Sequence, residues 1–340
     1  MSSTHNRHAP GTPPGRVALV ACMRNEGLFV LEWIAYHRTL GFDAIVIVTN
    51  ECTDGSDLLL DRVAALGGVT HIRQAPPPGT PPQDAGMDLA LLWARETGID
   101  WILHIDSDEF LNIRAGDRRL PALMQNVGHA DVVAIPWQMF GSAGQCDWSP
   151  GASVLRTFTR AEAGPTPRRT KSKCMFRTRS FARATDHNPL SPLVADPLVV
   201  NPDGAELANA ALSRDRASRF RPYGRAASAR TATINHYAIK SDDLFLMKND
   251  RGDGQGKLAN AKYHLGSRWH READRNEIRD VTILRHWRAT ERALAQMRAD
   301  PAVARLEQEC FDWFTTRKTA ILTPRTRQQW TKRERPANDP

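Results

Sequence analysis

Two aspartates and a glutamate stand close together after a short apolar run. The stretch WILHIDSDEFLNI (101–113) places Asp106, Asp108 and Glu109 after five mainly apolar residues, and Phe110 resumes the apolar pattern. Converging carboxylates repel one another unless they share a proton or a cation. Mg²⁺ and Mn²⁺ accept such oxygen ligands and complete their shells with substrate phosphates. The spacing therefore predicts a metal site on the two aspartates; the alternative is a solvated acidic turn with Glu109 at a helix start.

The elements around this stretch alternate between strands and helices. Apolar, β-branched runs predict strands at 16–22, 43–50, 101–105 and 131–137. Apolar residues at helical spacing predict helices at 26–41, 56–68, 86–98 and near 117–127. This order predicts an α/β fold, with a Rossmann-like, mostly parallel sheet and helices on both of its faces.

Polar clusters follow three of the predicted strands, beginning at Met23, Thr49 and Asp106. Ligands of open parallel sheets bind outside the carboxyl ends of the strands, so the three clusters are expected along one edge. The sequence has neither the glycine fingerprint of dinucleotide-binding folds nor a P-loop motif. Dinucleotide and P-loop chemistry are therefore not supported.

Several longer segments carry a family resemblance. They are residues 21–67, WILHIDSDEFLNI, PWQMFGSAG (136–144), KCMFRTRSF with DHNP (173–189) and INHYAIKSDDLFLMKNDRG (234–252). In this order the chain resembles a GT-A-fold glycosyltransferase of the family 2-like bacterial group related to glycosyltransferase family 92. The resemblance covers residues 17 to 252. It implies metal-dependent transfer of a sugar, with inversion, from a nucleotide-diphosphate donor, expected to be a UDP-sugar, to a glycan, lipid-linked or protein acceptor.

The resemblance also implies roles for individual residues. Asp106 and Asp108 would be the D-x-D pair that holds Mn²⁺ or Mg²⁺, with His236 as the third metal ligand. His187 competes for that place, and His236 could equally be a core histidine bonded to backbone. The residues implied in nucleotide-sugar binding are Arg24, Asn25, Glu26, Asn50, Asp54, Asp106 and Lys240. Ordinary family 2 enzymes have an aspartate where Asn50 stands, and an amide at this position can still pair with a base edge because it both donates and accepts hydrogen bonds.

An inverting reaction needs a carboxylate that deprotonates the acceptor hydroxyl. Asp147 is the preferred candidate because it adjoins a glycine-containing loop at 140–144, which resembles an acceptor region. Glu162 and Asp186 are the alternatives. Trp137 and Trp148 flank the loop; core packing is the favoured role for Trp137, and sugar stacking stays open for Trp148.

The charge is unevenly distributed within a formal net charge of +8, because the first 150 residues are acidic and the remainder is strongly basic. We predict a disordered N-terminus at 1–14, a GT-A domain at 15–252, a helical basic subdomain at 253–330 and a disordered tail at 331–340. The basic subdomain either braces the sheet or presents a surface to anionic lipid or glycan.

Neither a signal peptide nor an apolar run of 18 residues occurs, and the five cysteines are scattered without a metal or disulfide pattern. These features predict a cytoplasmic protein, with peripheral contact to the inner face of an anionic membrane as a further expectation. Nucleic acid is not an expected partner. The alternatives are a nucleic-acid-binding protein that uses the basic half, a nucleotidyltransferase or diphosphatase on the same scaffold, and a relic that binds nucleotide sugar without turnover.

Overall fold

A computed structural model describes residues 15–215, 217–252 and 262–331. The predicted disorder of 1–14, and of 331–340 apart from Thr331, lies outside these residues. Among the helices described, none is long and apolar enough to cross a bilayer.

The strands and helices follow the predicted alternation. The strands are β1 (Val17–Met23), β2 (Ala44–Thr49), β3 (Thr70–Arg73), β4 (Trp101–His104), β5 (Glu109–Ile113), β6 (Val132–Met139), β7 (Arg160–Ala161), β8 (Ser172–Arg177), β9 (Phe181–Ala184), β10 (Pro189–Pro192), β11 (Val199–Val200), β12 (Glu206–Leu207), β13 (Ala232–His236) and β14 (Ile278–Arg279). The helices are α1 (Val30–Leu40), α2 (Ser56–Ala65), α3 (Pro82–Glu96), α4 (Leu120–Val127), α5 (Val154–Thr157), α6 (Tyr223–Ala226), α7 (Asp242–Arg251), α8 (Arg268–Ala273), α9 (Trp287–Arg298), α10 (Pro301–Ile321) and α11 (Pro324–Gln329). Two 3₁₀ helices span Asn209–Ser213 and Thr282–His286.

The main sheet has a parallel half and a mixed half. Strands β3, β2, β1 and β4 lie side by side and are parallel. Strand β8 follows β4 and runs antiparallel to both β4 and β6. Strand β13 pairs parallel with β6 and antiparallel with β5. The predicted α/β class with its Rossmann-like sheet is confirmed, and β8 lies between β4 and β6 in this sheet.

Helices cover both faces of the sheet, as predicted. Side chains alternate along β1, so that Leu19 and Ala21 belong to the core under α1, whereas Ala18 and Val20 belong to the core under α3. Helix α1 is also tied to β5 by hydrogen bonds. Trp33 Nε1 donates to the Glu109 carbonyl at 2.9 Å, and the Tyr36 hydroxyl donates to the Leu111 carbonyl at 2.7 Å. Helix α1 therefore fixes the position of strand β5.

The helices of the basic C-terminal segment pack against the sheet's own helices. Helix α9 contacts α1, and α10 contacts α2. Val303 and Phe314 of α10 belong to the same buried cluster as Leu31 of α1. Helices α8, α9, α10 and α11 lie within the segment 253–330 that the sequence predicts to be helical. The boundary between the GT-A domain and the basic subdomain stays a prediction.

Candidate functional site

A cavity of about 580 Å³ lies at the carboxyl ends of the parallel strands, and we call it the edge cavity. Residues that follow three strands line it: Arg24 and Glu26 after β1, Asn50 after β2, and Asp106 and Asp108 after β4. The three polar clusters therefore meet at one edge of the sheet, because parallel strands bring their carboxyl ends together.

The turn between β4 and β5 separates the three acidic residues. The Glu109 amide donates to the Asp106 carbonyl at 3.0 Å, and the Asp106 amide donates to Glu109 Oε2 at 3.0 Å. This tight turn directs Asp106 and Asp108 into the edge cavity and buries Glu109 completely at the start of β5. The solvated acidic turn considered from the sequence is not what the chain forms.

Lys173 of β8 is completely buried and holds Asp106 in place. Its Nζ donates to Asp106 Oδ2 and to the Asp186 carbonyl, both at 2.9 Å, and lies 3.6 Å from Glu109 Oε2. Burial opposes the charge on Asp106, but the Lys173 ammonium and its hydrogen bond, together with His104, lower the pKa of Asp106. Burial raises the pKa of Glu109 well above its usual range. Lys173 therefore favours the ionised form of Asp106, whereas burial favours the protonated form of Glu109.

Asp108 lies between a lysine and a histidine. Lys248 Nζ of α7 donates to its Oδ2 at 2.7 Å, and His236 Nε2 of β13 lies 3.5 Å from its Oδ1. Although burial opposes the charge, Lys248 and His236 hold the pKa of Asp108 well below its usual range. Burial lowers the pKa of His236, so its imidazole is neutral near pH 7 and can act as a ligand.

The described residues contain no group of three His, Cys, Asp or Glu side chains placed to hold a metal ion. Of the predicted trio, the structure brings Asp108 and His236 together. Asp106 also lines the edge cavity, but its two oxygens accept from Lys173 Nζ and from Gln83 Nε2, each at 2.9 Å, and among the described residues no hydrogen bond or ion pair joins it to His236. A carboxylate and a neutral imidazole 3.5 Å apart nevertheless fit a hard divalent ion that takes its other ligands from a diphosphate and water.

His187, the competing metal ligand, also lines the edge cavity. Its Nδ1 is hydrogen-bonded to the Ser172 carbonyl at 2.9 Å, and its Nε2 lies 3.8 Å from Asp186 Oδ2. Burial lowers the pKa of His187 to about 4. Its ring packs against Trp137, with 5.2 Å between centroids. His187 therefore lies beside Asp186 rather than beside the aspartates of the turn.

Three of the residues implied in nucleotide binding do not line the edge cavity. Asn25 and Asp54 brace the loops after β1 and β2: Asn25 Oδ1 accepts from the Thr53 amide at 2.8 Å, and Asp54 Oδ2 accepts from the Gly27 amide at 3.0 Å. Lys240 is almost completely buried over the Phe29 ring, 4.3 Å from its centroid, beside a smaller neighbouring cavity. Arg24, Glu26 and Asn50 do face the edge cavity.

The three candidate bases lie in different places. Asp147 is exposed on the surface, where Lys318 of α10 donates to it at 2.7 Å, and it does not line the edge cavity. Glu162 is buried, and its Oε1 accepts from the Met139 amide at 2.9 Å. Asp186 lines the edge cavity, and its Oδ1 is buried without a hydrogen-bond partner among the described residues. Asp147 is bonded to Lys318 of α10 outside the edge cavity, and this contact joins residues 171 positions apart, so the local sequence could not indicate it.

The two tryptophans that flank the loop at 140–144 also differ. Trp137 lines the edge cavity and packs against His236, with 4.3 Å between ring centroids. Trp148 is buried against Phe29 at 5.2 Å, so it serves the core.

Sequence reasoning gave no role to Lys173 and Lys248, which hold the two aspartates. One signal was present for Lys173, because it directly precedes the apolar residues Cys174, Met175 and Phe176, and a lysine is rarely buried without an acidic partner. Gln83, Lys171 and Trp269 also line the edge cavity and lie far from the motif in the sequence. No spacing in the sequence links these residues to Asp106 and Asp108.

Fold and site together define an open-sheet α/β protein with a charged, cation-compatible cavity at its strand ends. The family model for glycosyltransferase family 92 matches residues 19–207, more than half of the chain. The chain belongs to glycosyltransferase family 92, as the resemblance predicted.

Two curated plant proteins of this family are similar over about a third of the chain. The Ricinus communis protein RCOM_0530710 is 28% identical over 106 residues, 31% of this chain and 19% of that protein. The Oryza sativa subsp. japonica protein Os08g0121900 is 32% identical over 105 residues, which are 31% of this chain and 17% of that protein. The match thus spans less than a fifth of these relatives. Among solved structures, Staphylococcus aureus TarS 1–349 in complex with UDP is 15% identical, with a TM-score of 0.31 over 48% of this chain and 47% of that one.

Proposed function

We propose that this chain is a glycosyltransferase that takes a sugar from a UDP-sugar bound in the edge cavity and transfers it, with inversion, to an acceptor hydroxyl. The observation that carries the proposal is the pairing of Asp108 with His236 at 3.5 Å and Lys248 at 2.7 Å at the strand ends. A cavity of about 580 Å³ is of the size that small-molecule ligands occupy. Membership of glycosyltransferase family 92 supports the same activity.

The edge cavity offers a place for each part of the donor. Asn50 both donates and accepts hydrogen bonds, which suits a base edge, and Arg24 and Glu26 stand beside it. Asp106, held ionised by Lys173, would accept from ribose hydroxyls. Asn25 and Asp54 act indirectly, by fixing the loops that carry these groups.

The diphosphate would lie near Asp108, where positive charge is concentrated. A divalent ion held by Asp108 and His236, Mn²⁺ or Mg²⁺, would neutralise the charge of the leaving diphosphate. Lys248, which donates to Asp108, and Arg251, which pairs with Glu26, line the same wall of the cavity. Their charges would orient the phosphates and stabilise the nucleoside diphosphate as it leaves.

Asp186 is the base that the geometry favours over Asp147. It is the one of the three sequence candidates that lines the edge cavity, and its buried Oδ1 would gain a hydrogen bond from an acceptor hydroxyl. The carboxylate would take the proton as the acceptor oxygen attacks the anomeric carbon in line with the departing diphosphate.

Titration calorimetry of UDP into the purified chain, with and without Mn²⁺, tests the proposal. We expect Mn²⁺-dependent binding that Asp108→Asn or His236→Ala weakens at least tenfold. Asp147→Asn removes an acidic charge outside the cavity and is expected to bind UDP like the wild type. Asp186→Asn should also bind UDP normally but lose transfer.

If UDP, GDP and CDP fail to bind under every metal condition, the chain is not a glycosyltransferase of this kind. Salt-dependent binding of DNA or RNA that ignores Mn²⁺ would then favour a nucleic-acid-binding protein.

A further inference from the structure

A second cavity of about 530 Å³ adjoins the edge cavity, and we call it the basic cavity. The two cavities share Trp137, Lys171 and Trp269 in their linings. Seven cationic side chains line the basic cavity: Arg168, Arg169, Lys171, Arg219, Arg268, Arg271 and Arg275. The acidic side chains in its described lining are Glu162 and Glu272.

These two acids, together with Glu277, which lies outside the described lining and pairs with Arg275, leave most of the positive charge uncompensated. Glu162 is turned inward to the Met139 amide, and burial raises its pKa. Glu272 pairs with Arg268, with 2.7 Å between Oε1 and Nε. Arg169 and Arg271 are exposed, and both side chains border the cavity. The lining is therefore a concentration of guanidinium groups, which bind carboxylate and phosphate oxygens through paired N–H donors.

The junction between the two cavities combines charge with aromatic surface. Lys171 Nζ lies 5.2 Å from the Trp137 ring centroid and 5.8 Å from that of Trp269. Burial lowers the pKa of Lys171, and the neighbouring Arg219 adds to the effect. A bound anion would relieve this crowding of like charges. The half-buried Trp269 ring offers an apolar face beside the same point, as sugar-binding surfaces require.

We propose that the basic cavity is the acceptor subsite and that it takes an acidic glycan, whose sugars carry carboxylate or phosphate groups. The inference rests on the proposed function, because an acceptor must reach Asp186 from a surface that opens into the edge cavity. A concave cavity can enclose a single glycan chain, whereas a lipid headgroup layer is flat. Lys171, which lies where the two cavities meet, would be within reach of a glycan chain but not of a flat layer. The acidic groups would contact the arginines while an uncharged hydroxyl lies near Asp186.

Binding to glycans of defined charge tests this assignment. We would measure the affinity of the full chain, loaded with UDP and Mn²⁺, for oligogalacturonate, for phosphorylated mannan oligosaccharides and for neutral galactan and mannan oligosaccharides. The first two probes distinguish carboxylate from phosphate recognition. We expect at least one acidic probe to bind at least tenfold more tightly than its neutral counterpart.

A pair of double variants locates the binding. Arg169→Ala/Arg271→Ala should weaken the acidic glycan about tenfold and leave UDP affinity unchanged, because neither residue lines the edge cavity. Arg179→Ala/Arg305→Ala removes the same charge from exposed positions outside both cavities and should have no effect on either ligand. Retained UDP binding also shows that the variants are folded.

Several outcomes would overturn the assignment. These are equal affinity for neutral and acidic glycans, acidic-glycan binding that the first double variant does not change, and binding of phosphatidylserine vesicles or single-stranded DNA without any acidic glycan. Absence of UDP binding in the wild type would instead remove the proposed function itself, so the two failures are distinguishable.

Discussion

At the scale of single residues, the site is organised by lysines that touch the aspartates. Lys173 brings a positive charge into a completely buried position between Asp106, the Asp186 carbonyl and Glu109. Lys248, which is partly buried, donates to Asp108 Oδ2 at 2.7 Å. Removing one member of a buried ion pair leaves the other charge without compensation, which costs much more than the net value of the pair.

We therefore expect Lys173→Met to lower the free energy of unfolding by roughly 3 kcal/mol, since it leaves Asp106 facing an apolar side chain. The double variant Lys173→Met/Asp106→Asn should recover part of that loss, because it removes the uncompensated charge as well. Urea unfolding followed by circular dichroism measures both. Equal instability of the single and double variants would show that Lys173 acts through packing rather than charge.

Lys240 gives a prediction about pH. Burial lowers its pKa from 10.5 to about 7 in the folded protein. Between pH 7 and 10.5, Lys240 is therefore protonated in the unfolded chain and largely neutral in the folded protein. The amount by which Lys240 lowers the free energy of unfolding decreases as the pH rises through that window. Below pH 7 the penalty is fully present.

Lys240→Met should accordingly be more stable than the wild type at pH 7, with the difference shrinking towards pH 10. Thermal unfolding of both proteins across this range measures the difference, and comparison of the two cancels the other groups that titrate. A difference in stability that does not change with pH would mean that burial does not lower the pKa of Lys240 in the folded protein.

At the scale of elements, short loops after β1 and β2 hold the polar residues of the sheet edge. Asp54 links them, because its Oδ1 accepts from the Ser56 amide at 2.9 Å at the start of α2 and its Oδ2 accepts from the Gly27 amide at 3.0 Å. Gly27 has little space around it, since a Cβ there would lie 2.4 Å from Cys310 Sγ of α10. The loop is thus fixed from both sides.

Asp54→Ala should lower the free energy of unfolding by about 1–3 kcal/mol, because it leaves two amides without an acceptor in a buried place. Asp54→Asn keeps one acceptor oxygen and should lose less. Chemical denaturation gives the values, and UDP calorimetry on the same variants reports the effect on the cavity. If alanine and asparagine cost the same, the carboxylate does not act as a double acceptor.

At the scale of the whole molecule, the C-terminal helices complete the core of the sheet domain. Helix α9 packs on α1 and α10 on α2, and Arg62 of α2 donates from Nε to Asp300 Oδ1 at 3.0 Å. Helix α10 also reaches Asp147 and Asp243 through Lys318. Because the two parts share one buried apolar cluster, we expect them to unfold together.

Differential scanning calorimetry should therefore show one cooperative transition for the full chain, with the calorimetric enthalpy equal to the van't Hoff enthalpy. Phe314→Ala in α10, which opens the shared cluster, should lower the temperature of that single transition without splitting it. Two separate transitions would instead establish the basic segment as an independent domain.

The sequence predicted the strand–helix alternation, because hydrophobic periodicity is local and each strand and helix carries its own pattern. It also predicted that the turn at Asp106 and Asp108 lies with Asn50 and Arg24 at one edge, since that follows from parallel strands. Strand β8 was not placed, because its position between β4 and β6 depends on long-range pairing that no local pattern specifies.

What the sequence determined by itself was the α/β class and the location of the acidic turn, both of which depend on residue types at short spacing. The family followed from a resemblance that several segments carry, in order, along residues 17 to 252. The tertiary structure alone decided which charges meet: Lys173 with Asp106, Lys248 with Asp108, and Lys318 with Asp147. These pairs are separated by 67, 140 and 171 residues. Electrostatic partners are chosen by distance in space, and only the folded chain sets that distance.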